Sequence, residues 1–207
     1  MKTMTHFKKI LALFSLVLLM QGCQTPQKET VEAQQGNEPR YNMEEPVELK
    51  VRKVDIISEF TPTFRRPNVE HLFPISIEKT AKIWARDRLK AVEPSSTRTA
   101  TFVIKDASVV ETFEKADKVF YKDRVKYRAT LNVAVKISDN QKMSSAETEI
   151  EAWRELIIPA DTDVAEKEKY WNGMVTKLFD EFNNRMTQNI HQYLNMFVKN
   201  NDHIQEY

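Results

Sequence analysis

Between Val125 and Ile137 the apolar residues fall on every second position, and that constrains the fold more than any other feature of the chain. Val125, Tyr127, Ala129, Leu131, Val133, Val135 and Ile137 occupy the odd places, while Lys126, Arg128, Asn132 and Lys136 are among the even ones. Alternation of this kind sends successive side chains to opposite faces of a sheet, so the stretch is a strand with one buried face and one wet face. Ser138-Asp139-Asn140-Gln141-Lys142 reads as a turn. A second alternation follows from Ser144 to Ile157, with Ala146, Thr148, Ile150 and Ala152 on one side and Glu147, Glu149, Glu151 and Glu155 on the other. Paired antiparallel, the two strands set a basic outer row against an acidic one. Such cross-strand pairs contribute roughly 0.2–1 kcal/mol each and fix the register. The apolar face then needs a second layer to cover it.

The rest of the chain supplies that layer. Val47, Leu49 and Val51 alternate with charged residues, and the parity slips at Lys53 before Val54, Ile56 and Ile57. This predicts one strand carrying a bulge. Beyond a loop with Pro62 and Pro67, Ser76 can cap a helix whose Ile77, Ala81, Trp84, Ala85, Leu89 and Val92 recur at helical spacing, and Pro94-Ser95-Ser96 stops it. Residues 99–110 are β-rich with apolar residues on both parities. Pro159 closes the last strand. Asp163 with Glu166 forms a capping box for a long helix, reaching about Val198, with a stripe of Trp171, Val175, Leu178, Phe182, Met186, Ile190, Tyr193 and Phe197. The expected domain, 47–198, is α+β: a two-layer sandwich of a four-stranded, mainly antiparallel sheet with two helices on one face, in the order β-α-β-β-β-α. Residues 199–207 make a polar C-terminal tail.

Composition removes several functional classes. The three glycines, Gly22, Gly36 and Gly173, cannot build a dinucleotide fingerprint, a phosphate loop or a nucleophile elbow. A single cysteine, Cys23, excludes an internal disulfide and any C-x-x-C site. The net charge of +1 includes Lys2, Lys8 and Lys9, and without those 3 it falls to −2. No basic field therefore draws the domain to nucleic acid.

The N-terminus reads as an address. Lysines precede an apolar run from Ile10 to Met20, interrupted only by Ser15. As a helix the run spans roughly 16 Å, far short of the ~30 Å hydrocarbon core of a bilayer. Residues 1–22 are expected to be a signal peptide. Residues 23–46, rich in Gln, Glu and Pro, are expected to form a solvated tether.

Catalytic chemistry finds little support. His71, His191 and His203 have no partner at metal-ligand spacing, and the glutamate row of the last strand fans along a flat face beside Lys126 and Arg128 instead of wrapping a cation. The serine pairs lack an oxyanion loop. No catalytic residue, metal site or cofactor is expected. The aromatic residues are the candidates for contact. Trp153 falls on the charged, outward parity of its strand, where Arg128 could stack on it. Tyr193, Met196 and Phe197 come late on the long helix, where they either pack on the domain or overhang the sheet as a partner surface.

Leu19-Met20-Gln21-Gly22-Cys23 resembles the lipobox of bacterial lipoproteins. The resemblance implies cleavage between Gly22 and Cys23, acylation of Cys23, and, because Gln24 follows where an aspartate would favour retention, the periplasmic side of the outer membrane. The layout is similar to small periplasm-facing lipoproteins of Gram-negative bacteria, among them the lipoprotein partner of the lipopolysaccharide translocon and auxiliary lipoproteins of lipid transport. Ala85-Arg86-Asp87-Arg88-Leu89, the Ile104-to-Glu111 segment and Ile158-Pro159-Ala160-Asp161 carry a likeness to an uncharacterised alphaproteobacterial lipoprotein family. These resemblances imply a non-enzymatic module, bound to the membrane through its acylated N-terminus, that binds or assembles with an envelope protein. The alternative they leave open is a lipid-binding accessory of an envelope transport system.

Overall fold

The computed structural model describes residues 39–117 and 122–199. The expected signal peptide with Gly22, Cys23, and residues 200–207 of the expected C-terminal tail lie outside the described residues. In chain order the elements are β1 (Val47–Leu49), β2 (Lys53–Ser58), a 3-10 turn (Glu70–Leu72), α1 (Ile77–Arg88), β3 (Leu89–Ala91), β4 (Arg98–Asp106), β5 (Val109–Glu114), β6 (Arg124–Asp139), β7 (Ser144–Pro159), α2 (Val164–Tyr193) and a final 3-10 turn (Asn195–Phe197).

The α+β class stands, but the expected strand count and order do not. In place of one four-stranded sheet there is a five-stranded mixed sheet and a separate parallel pair of β1 with β3. In the larger sheet β6 is central. β7 runs antiparallel along its whole length on one side, while β4 and β5 lie end to end on the other. β2 joins β4 in parallel, with α1 as part of the crossover between them.

Each departure has a local cause. The parity slip near Lys53 is a change of sheet, not a bulge: the chain bends at Val51, which is fully buried, and passes from the β1–β3 pair into β2. The mixed parity of 99–110 reflects a register shift between Ile104 and Asp106. The buried inward positions are even before it (Ala100, Phe102, Ile104) and odd after it (Ala107, Val109), as β4 gives way end to end to β5. At the break the Asp106 carboxylate accepts the Ser108 N–H at 3.0 Å and its hydroxyl at 3.1 Å, local bonds that interrupt the ladder between β4 and β5. The first helix stops at Arg88 because Leu89 turns to an extended conformation (φ −95°, ψ 123°) and enters β3, which takes Leu89 and Val92 off the predicted stripe.

Both helix caps are as expected. Ser76 Oγ accepts from the Lys79 amide at 3.2 Å, and Asp163 Oδ1 from the Glu166 amide at 3.0 Å. The odd positions of β6 are all buried, and aromatic rings from both helices meet on that face. The Trp84 indole of α1 lies 5.7 Å from Phe102 of β4 and 4.9 Å from Phe182 of α2. Burying side chains of this size contributes roughly 1.5–3 kcal/mol each. Residues 40–46 also belong to this body. Tyr41 is in the core, Arg40 pairs with Asp87 and Glu44 bonds Asn183, so the stretch expected to be tether through Pro46 is docked from Arg40 onward.

Candidate functional site

With the helices on one face of the large sheet, the other face is uncovered. Its residues are set by the β6–β7 register, which runs without a shift from Arg124–Pro159 to Asp139–Ser144. Even positions of β6 and odd positions of β7 point outward. Trp153, opposite Thr130, stands in the middle of this face and is 47% exposed. The Arg128 guanidinium carbon sits 4.4 Å above its ring centroid, the expected stack, and Nη1 donates to Glu155 Oε1 at 3.3 Å. An exposed stack of this kind is worth ~0.5–1 kcal/mol. Ile157 and Val110, both partly exposed, share the surface because their partners Lys126 and Arg128 are even positions of β6.

Charge on this face is arranged as rows. Lys126 and Arg128 both reach Glu155. Glu147 and Glu149 are held instead by Lys105 of β4, which reaches across β6 above the small, buried Ala134. Glu151 has no side-chain partner among the described residues. Glu147, Glu149 and Glu155 are therefore ion-paired while Glu151 is not, and no three His, Cys, Asp or Glu side chains among the described residues are grouped to hold a metal ion.

The four aromatic and methionine candidates do not form one site. Trp153 is on the outer sheet face, whereas Tyr193 and Met196, 58% and 70% exposed, lie at the end of α2. Phe197 is packed against the core with the Arg98 guanidinium 5.4 Å from its ring centroid. An overhanging helix end is ruled out: Ile190, Leu194 and Val198 are buried, Val198 bridges to Leu49, and the Phe197 carbonyl accepts the Lys50 amide at 2.7 Å.

A feature unforeseen in the sequence lies where the loop after β2 meets the start of α1. Phe60, Phe64, Phe73, Glu70, His71 and Glu78 line part of a half-open cavity of about 190 Å³. That volume suits one short side chain or a few waters, below the ~300 Å³ at which drug-sized sites begin. Phe64 adopts a left-handed backbone (φ 55°) and its ring rests 5.5 Å from His71. Three phenylalanines close to Pro62 and Pro67 were the available signal for it. The second missed feature is β7 as a sheet edge, which depends on β4 and β5 both pairing on the far side of β6 and so left no local signal in the sequence.

No family model matches the chain, and no curated protein matches it. Among solved structures, the chain is similar to a minor lipoprotein from Acinetobacter baumannii, with 12% identity over 68% of this chain and 94% of that one and a TM-score of 0.40. It is also similar to rare lipoprotein B from Shewanella oneidensis, with 9% identity over 66% and 97% of the two chains and a TM-score of 0.31. At these scores the likeness carries no residue-level or functional argument. Among the described residues, no helix is long and apolar enough to cross a membrane.

Proposed function

We propose that the protein is a non-enzymatic lipoprotein, anchored by acyl chains on Cys23 to the periplasmic side of the outer membrane, that serves as a binding or assembly module of an envelope complex. The observation that carries this reading is the uncovered sheet face with Trp153 at its centre, its indole half exposed and held in place by Arg128. A rigid, amphipathic aromatic residue on an otherwise ion-paired surface is the kind of side chain on which partner binding concentrates. The lipid-accessory alternative requires room between helices and sheet. There Trp84, Phe102 and Phe182 are fully buried in mutual ring contact, Phe179 packs its ring on Phe182, and Leu131 is fully buried in the same core, so an acyl chain would have to displace them.

Site-specific photo-crosslinking in growing cells tests the reading. A benzoylphenylalanine at position 153 is expected to give a discrete protein adduct, and the same group at Glu168, exposed on α2, none. Identical adduct patterns from the two positions, or none from either, would overturn it.

A further inference from the structure

In an antiparallel pair the N–H and C=O of one residue point the same way, and successive residues alternate between facing the partner strand and facing away. Thr130 donates its N–H to the Ser108 carbonyl at 2.9 Å, on the side of β6 away from β7. The Thr130–Trp153 pair is therefore a non-hydrogen-bonded one, and Trp153 turns its own N–H and C=O to the far side of β7. Glu151 gives the same parity independently, because its carbonyl accepts from Arg185 Nη1 at 2.9 Å. The odd residues from Ser145 to Ile157 thus hold their backbone donors and acceptors along an open edge. β7 pairs with β6 alone, and the Arg185 bond is the one hydrogen bond on that edge among the described residues.

Edge strands are usually kept short, bulged or interrupted by proline. β7 has 16 residues, an unbroken register and no proline before Pro159. Its protection is charge, and charge selects the occupant. A second copy pairing antiparallel about Glu151 would set Glu151 against Glu151 and Glu147 against Glu155, which like-charge repulsion opposes. A basic strand reverses the sign, as β6 already does when Lys126 and Arg128 meet Glu155. Trp153 and Ile157 continue the same outward row and offer apolar contact beyond the acids.

We infer that the edge of β7 takes up a β-strand from a partner protein, one with lysine or arginine at alternate positions facing Glu147, Glu149 and Glu151. The inference rests on the binding-module reading above and adds how the partner is held. Main-chain bonds to the odd residues supply affinity, and the alternate side chains supply specificity. Arg185 is the latch that such a strand displaces.

The test uses purified full-length protein in detergent micelles and an acetylated nine-residue peptide of alternating lysine and valine. Binding is expected to slow amide hydrogen exchange at Glu149 and Trp153 by about tenfold or more, without changing Thr148 and Ala152, whose amides already face β6. A peptide of the same length with glutamate for lysine should give no protection, nor should one whose edge-facing amides are N-methylated. Glu151→Lys, at a carboxylate with no side-chain partner among the described residues, should keep the melting midpoint and weaken the lysine peptide at least tenfold. Glu149→Pro should also fold, since the amide it removes bonds nothing, yet abolish binding. Equal protection by the glutamate or N-methylated peptide, no protection by any peptide, or unfolding of Glu149→Pro would each overturn the proposal. Failure of this assay removes the edge alone, whereas failure of the cellular crosslink at position 153 removes the reading beneath it.

Discussion

The Trp84 indole N–H donates to Asn183 Oδ1 at 2.8 Å, a buried bond that ties α1 to α2 across a sequence separation of 99. The amide nitrogen of Asn183 continues the chain, donating to Glu44 Oε2 at 2.8 Å. Beside it Arg88, itself almost wholly buried, donates to the Glu45 carbonyl and, at 3.1 Å, to the Thr187 hydroxyl. One network thus fastens both helices and the segment before β1. Asn183→Ala leaves the indole N–H without a partner in the core, at a cost of about 1–3 kcal/mol. Urea unfolding of Asn183→Ala, Trp84→Phe and the double variant is expected to show a coupling energy of at least about 0.5 kcal/mol. Strict additivity would mean the bond contributes nothing.

Arg40 grips the Asp87 carboxylate with Nε at 2.8 Å and Nη2 at 2.9 Å, and the Tyr41 amide adds a third bond at 3.0 Å. The Arg40 bonds are the largest cause holding this carboxyl below its usual range; burial opposes them and the Tyr41 amide assists. A carboxylate whose folded pKa is depressed binds fewer protons folded than unfolded. Its contribution is complete above the unfolded value of ~3.9 and is lost as pH falls through the lower folded value. Because the Arg40 side chain is 61% exposed, solvent screens the pair and the effect is modest. The stability difference between wild type and Asp87→Asn should stay level from neutral pH to about pH 5 and shrink below about pH 4. Urea midpoints across that range would show it, and a difference independent of pH would remove the linkage.

What was legible in the sequence followed strong periodicity. The alternation of 125–137, the caps at Ser76 and Asp163 and the stripe on the long helix from Trp171 to Ile190 are local signals, and the structure agrees with them because packing reinforces each. The helix ends at Tyr193 rather than near Val198, Tyr193 falls off the stripe into solvent, and Phe197 lies in the 3-10 turn beyond it. The outward placement of Trp153 and its stack on Arg128 followed from parity alone. What was not legible depended on distant partners. Nothing near Val51 announces that the chain leaves one sheet for another, since β1 is held by partners far away in sequence, Leu89–Ala91 on one side and the segment around Val198 on the other. Tyr41 lies in polar surroundings in sequence, yet it is buried with its ring 6.4 Å from Phe179.

The anchor is tested by chemistry rather than by geometry, because Cys23 lies outside the described residues. Acylation needs the thiol, so Cys23→Ser should accumulate as a full-length precursor that takes up no labelled palmitate. Three chains bind a membrane far more firmly than one, each buried methylene adding ~0.8 kcal/mol. The unlabelled variant should therefore also change its fractionation. Continued labelling would show that the Leu19-to-Cys23 segment is not a lipobox.

The end of the chain separates buried from exposed residues within a few positions. Lys199 donates its amide to the Glu48 carbonyl at 2.8 Å and its ammonium group meets the Glu48 carboxylate at 3.0 Å, so the segment after α2 clamps β1. Truncation after Gln188 would remove Ile190, Leu194 and Val198, each almost fully buried. Losing one large core side chain costs about 2–5 kcal/mol, and three approach the roughly 5–15 kcal/mol that holds a whole domain together. The truncated protein should lack a cooperative thermal transition. Tyr193→Ala and Met196→Ala, by contrast, replace exposed side chains on the same segment and should shift stability by no more than about 0.5 kcal/mol. A truncated protein that still melts cooperatively near the wild-type midpoint would show that the clamp on β1 is dispensable.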